Sequence, residues 1–109
     1  MAYSAIRYQK NTCYIQDSLL GEVLKSIFIE VDNKVSSSSD KYGWLMQALN
    51  RWWGDFEDFP PGLKDIELDE WLVDAEKRSV FEEILILSLE KADEKIFAEI
   101  LKFKTVLTA

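Results

Sequence analysis

Apolar residues recur at three- and four-residue steps from Leu19 onward: Leu19, Leu20, Val23, Leu24, Ile27, Phe28 and Val31. That spacing draws one stripe along an α-helix. Asp17 or Ser18 supplies a side-chain oxygen for the free amides of its first turn. Gly21 costs about 1 kcal/mol relative to Ala inside a helix, which burial of the stripe outweighs. β-branched Ile27, Ile29 and Val31 leave a strand as a secondary reading for the end of this segment.

Asn33 to Asp40 contains four consecutive serines and reads as a flexible connector. Ser39 or Asp40 opens a second helix. Tyr42, Leu45, Met46, Leu49 and Trp53 share one face of it, and Trp44 and Trp52 lie off that face. Gly54 suits its end, because glycine tolerates the left-handed conformation there. Asp55 to Asp65 (DFEDFPPGLKD) then reads as a loop stiffened by Pro60 and Pro61, with Gly62 free to turn.

Ile66 to Lys91 reads as mostly helical, in two pieces. Leu68, Trp71, Leu72 and Ala75 form the first apolar patch. Ser79 and Glu82 have the spacing of a capping box before the second. Val80 to Leu89 is apolar on several sides and is the expected central helix. Asp93 caps a last helix whose inner line is Ile96, Phe97, Ile100, Leu101 and Lys104. Residues 1–16 fit neither period cleanly and read as a short helix or an extended arm. The expectation is an all-α fold: a compact single-domain bundle of four to six helices over residues 1–109.

Composition narrows the chemistry. The chain has 109 residues, 48% of them hydrophobic, with four Trp, one Cys and no His. Without His, zinc-hydrolase, di-iron and Ser–His or Cys–His arrangements are excluded. Cys13 has no activating base and reads as a small apolar residue. Asp55, Glu57 and Asp58 lack the spacing of a calcium loop. Neighbouring acids such as Glu82-Glu83 and Asp69-Glu70 point about 100° apart on a helix and do not face each other. No glycine-rich phosphate loop is present. The expectation is a non-enzymatic protein with no metal and no cofactor. No apolar run is long enough for a signal-peptide core or a membrane span, so a cytoplasmic location is expected.

Charge distribution supplies the main functional signal. Asp55 to Glu94 holds 14 acids and 4 bases, although the whole chain carries a net charge of only −7. Such a stretch repels nucleic acid and anionic lipid and attracts basic protein. It is also threaded with rings, which anchor interfaces. The candidate binding residues are Trp52, Trp53, Asp55, Phe56, Glu57, Asp58, Glu67, Asp69, Glu70, Trp71 and Asp74. Core-building rings under a solvated acidic surface would give the same composition. However, Trp52 and Trp53 are adjacent and cannot both face one core. At least one ring of Trp44, Trp52 and Phe56 is expected to be partly exposed.

In its WWGDFEDFPPG segment and the following IELDEWLVDAE, the chain resembles bacterial toxin-immunity proteins of contact-dependent growth inhibition and nuclease-colicin type. The resemblance is one of character over roughly a quarter of the chain. It implies a heterodimer with a basic toxin or nuclease domain, whose active site is plugged or flanked, and a monomeric free form. An acidic adaptor or nucleic-acid mimic of a different pathway is the alternative.

Overall fold

The first sixteen residues build a β-hairpin. In the computed structural model, which describes residues 2–108, strand β1 (Tyr3–Tyr8) pairs antiparallel with β2 (Asn11–Gln16). Met1 and Ala109, the ends of the expected domain, lie outside the described residues. Helices α1 (Asp17–Val35) and α2 (Ser39–Asp58) follow. A two-residue strand, β3 (Ile66–Glu67), then lies parallel to β1 and gives the order β2-β1-β3. A 3-10 turn (Leu68–Glu70) leads to α3 (Ala75–Lys91) and α4 (Glu94–Thr108). The fold is α+β, which corrects the all-α expectation.

Why the hairpin escaped the period test is visible in its pairing. Ser4, Ile6 and Tyr8 sit opposite Ile15, Cys13 and Asn11 and share one face of the sheet. α4 packs on that face: the Asn11 side chain donates to the Val106 carbonyl, and the Cys13 thiol to the Lys102 carbonyl. The inner face thus includes polar Ser4 and Asn11, while Tyr3, Ala5 and Tyr14 stand on the other. The apolar/polar alternation is scrambled although the strand period is intact. The turn carries no glycine; Gln9 takes the positive φ of 55°.

The Ile66–Lys91 reading is corrected in part as well. Its first half is β3 and a 3-10 turn, because Ile66 pairs beside Ile6 in the sheet. Asp74, not Ser79, caps α3 by accepting from the Lys77 amide at 2.8 Å. Asp93 does cap α4, accepting from the Ile96 amide at 3.0 Å. α1 begins at Asp17 without a side-chain cap.

The core is a column of rings. Trp52 of α2 meets Phe81 of α3 edge-on at 5.8 Å, and Phe81 meets Phe103 of α4 at 6.3 Å. Leu20, Leu24, Ile27, Leu45, Leu49, Ile84 and Leu85 fill the space around them. Buried Glu30 of α1 pairs with Lys91 of α3 at 3.0 Å, so its charge is compensated. No helix among the described residues is long and apolar enough to cross a membrane.

Candidate functional site

α2 continues through Gly54 rather than ending there. It stops at Asp58 because Phe59 precedes Pro60, and a residue before proline is pushed out of helical conformation. Phe59 accordingly has φ −84° and ψ 147°. The first four residues of the expected loop, Asp55 to Asp58, are therefore helical.

The rest of that loop is bolted to the N-terminal elements. Gly62, at φ +84°, donates its amide to Asp17 at 2.9 Å. The Lys64 amide donates to Ser4 Oγ at 3.0 Å, and Ser4 Oγ donates to Asp17 at 2.7 Å. The Lys64 ammonium donates to the carbonyls of Phe56 and Phe59 and lies over the Phe56 ring. It thereby satisfies a carbonyl left free at the end of α2 and offsets the negative end of that helix dipole.

Many of the acids then serve the fold. Asp65 accepts from the Ala5 amide at 2.9 Å and from Arg7 at 3.0 Å. Glu67 shares Arg7 at 3.1 Å. The hydrogen bond that Arg7 donates to Asp65 is the largest cause of the raised Arg7 pKa. Asp69 accepts from the Gln9 amide at 2.9 Å. Asp55 pairs with Arg51 at 3.4 Å, and Asp74 caps α3. These contacts fix the path of the segment from both sides of β3.

Between Asp55 and Glu76, four acids have no side-chain partner among the described residues and are exposed: Glu57, Asp58, Glu70 and Glu76. They form two groups. Glu57 and Asp58 close the C-terminal end of α2. Glu70 and Glu76 flank the start of α3, where Asp74, Glu76 and Lys77 share a depression with Asp40, Lys41 and Trp44 from the start of α2. A helix of 20 residues is about 30 Å long, so Glu76 and the Glu57–Asp58 pair lie at opposite ends of α2. The acidic stretch is a strip along the molecule rather than one compact patch.

The rings divide in the same way. Trp52 is 3% exposed and belongs to the core, with no face to offer a partner. Trp53 is half-buried and stacks on Phe56 at 5.4 Å with a 7° angle between planes. Phe56 and Trp44 are likewise half-buried, and so is Trp71, which packs against the core. The structure thus brings together Trp53, Phe56, Asp55, Glu57 and Asp58, and separately Asp69, Glu70, Trp71 and Asp74.

One feature of the surface lies outside the candidate residues. Leu24, Lys25 and Phe28 of α1 face Leu49, Asn50 and Trp53 of α2 across an open groove of about 300 Å³. The signal in the sequence was the breadth of the α1 stripe: Phe28 is part of it yet remains 37% exposed. No group of acids and cysteine among the described residues is arranged to hold a metal ion.

Comparison with protein-family models, with curated proteins and with solved structures yields no match to this chain.

Proposed function

We propose that this chain is a non-enzymatic immunity protein that binds and neutralises a basic toxin domain, a nuclease being the preferred target. It works in the cytoplasm without a cofactor, as a monomer when free and as a heterodimer when bound. The observation that carries this reading is the set Glu57, Asp58, Glu70 and Glu76, exposed and without internal partners on a segment whose backbone is otherwise tied down. Carboxylates held on a fixed backbone lose little conformational entropy on docking. They raise the rate of encounter with a cationic partner and select against acidic ones.

The division of labour among the acids sharpens the site. Asp65, Glu67 and Asp69 hold the segment in place, while Glu57, Asp58, Glu70 and Glu76 are left available to the lysines and arginines that otherwise grip phosphate. Trp53 and Phe56 lie beside Glu57 and Asp58 and supply apolar contact next to charge.

The test is protection of cells. An immunity gene lies next to its toxin gene, so the neighbouring reading frame is expressed with and without this chain. The proposal expects growth arrest that wild type relieves and that Glu57→Lys/Asp58→Lys/Glu70→Lys/Glu76→Lys does not. A harmless neighbour, or full protection by the charge-reversed chain, contradicts it.

A further inference from the structure

We infer that the groove between α1 and α2 is the socket for an apolar anchor residue of a basic protein partner, presented with lysine or arginine on both sides of it. This rests on the reading that the partner is basic, and it moves the centre of the interface from the acidic strip to the helix hairpin.

The groove has the anatomy of an interface core. Its walls are Leu24 and Phe28 on one helix and Leu49 and Trp53 on the other, and its volume of about 300 Å³ admits a large side chain. α1 and α2 are antiparallel, joined by the short Ser36–Ser38 connection, with Gly21 against Phe56 near the far end. Asp32 follows Phe28 by one helical turn, and Glu57 follows Trp53 by one turn. Both residues are exposed, and their carboxylates have no partner among the described residues. In an antiparallel pair with Gly21 level with Phe56, these positions fall at opposite ends of the groove, about 18 Å apart along the helix axes. The socket is thus apolar in the middle and acidic at both ends.

Lys25 of the groove wall and Lys64, over the Phe56 ring beside Trp53, are the cations near this face. Lys25 lines the wall, where its methylene stem adds to the apolar surface, whereas Glu22 belongs to the neighbouring depression toward Lys91 and Ile96. Asp32 and Glu57 outnumber Lys25, and the Lys64 ammonium is engaged by the Phe56 and Phe59 carbonyls, which favours a basic occupant. Lys25 lines the groove wall itself, so it sets the register: basic residues of the partner go to the ends, and its apolar residue goes to the centre.

Amide NMR titration of the whole chain with two synthetic amphipathic helices tests this. Both carry the same leucine stripe; one has lysines at both ends and the other has glutamates there. The lysine peptide is expected to shift amides of residues 24–32 and 49–57 and to bind about tenfold tighter than the glutamate peptide. Phe28→Asp should abolish these shifts. Should that variant unfold, the surface variant Asp32→Lys/Glu57→Lys keeps the test intact and should remove the preference for lysine. Lys25→Glu should tighten binding of the lysine peptide. Shifts at residues 69–76 instead overturn the socket while leaving the basic-partner reading standing. Equal binding of the two peptides, no binding by the lysine peptide, or self-association through the groove also overturns it. Cell protection by the chain decides the basic-partner reading separately.

Discussion

Gly21 lies against the ring of Phe56: a Cβ built on Gly21 would stand 2.9 Å from Phe56 Cζ. The ring has little room to give, since it is stacked on Trp53 and covered by the Lys64 ammonium. Helix propensity alone would have Gly21→Ala stabilise by about 1 kcal/mol. The close approach reverses that, and a net loss of about 1 kcal/mol is expected. Gly43 is the control. A Cβ there meets nothing within 4 Å, so Gly43→Ala should stabilise by about 0.5–1 kcal/mol. Urea unfolding of both variants checks the pair; equal stabilisation would show that Phe56 does not rest on α1.

Adjacent tryptophans should differ sharply. Trp52 is enclosed by the core and meets Phe81, so Trp52→Ala should cost about 3–5 kcal/mol. Trp53 is half-buried, and its loss removes the stack on Phe56 and part of the groove wall. Trp53→Ala should cost about 1–2 kcal/mol and leave a cooperative transition. Chemical denaturation followed by circular dichroism distinguishes them. Equal costs would contradict their division between core and surface.

Asp17 ties three segments together. It accepts from Ser4 Oγ at 2.7 Å and from the Gly62 amide at 2.9 Å, and Ser4 in turn accepts from the Lys64 amide. Ser4 is fully buried, so stripping its partner leaves a polar atom without its acceptor. Asp17→Ala should cost about 2 kcal/mol and speed hydrogen exchange at Gly62 and Lys64. Unchanged exchange there would mean that the loop is held by other contacts.

Burial pushes the Cys13 thiol up to about 11, with Lys102 opposing the shift and Glu99 adding to it. At about pH 8 the folded protein should alkylate roughly a hundredfold more slowly than the unfolded chain, because the thiolate is the reactive form. The sign of the stability effect follows. The folded state keeps its thiol proton to higher pH than the unfolded chain does. This contribution is intact below the ordinary value of 9.0 and is lost as pH rises through about 11. Iodoacetamide kinetics with and without urea measure the difference, and equal rates would contradict it.

Legibility in the sequence followed the length of each pattern. All four helices carry runs of apolar spacing long enough to read. The two-residue β3 is too short to show any period, and it exists because Ile66 and Glu67 lie beside Ile6 and Arg7, about 60 positions earlier. The hairpin was obscured by Ser4 and Asn11 on its inner face and by a turn without glycine. On α2 the true stripe runs Tyr42, Leu45, Ala48, Leu49, Trp52. Reading Met46 in place of Ala48 rotates the face and puts Trp53 inside instead. At the candidate site, the charge of each acid was legible but its partner was not. Asp65, Glu67 and Asp69 bind groups 58 to 60 residues away, and no local pattern records such a pairing.

Titration calorimetry of the purified chain with the protein encoded beside it tests the role of the unpartnered carboxylates most directly. Wild type should bind with an affinity that falls as salt rises. Reversing Glu57, Asp58, Glu70 and Glu76 to lysine should weaken binding by about a hundredfold with the melting temperature little changed. Binding that survives the reversal within about twofold, or that ignores salt, would show that these acids do not meet the partner.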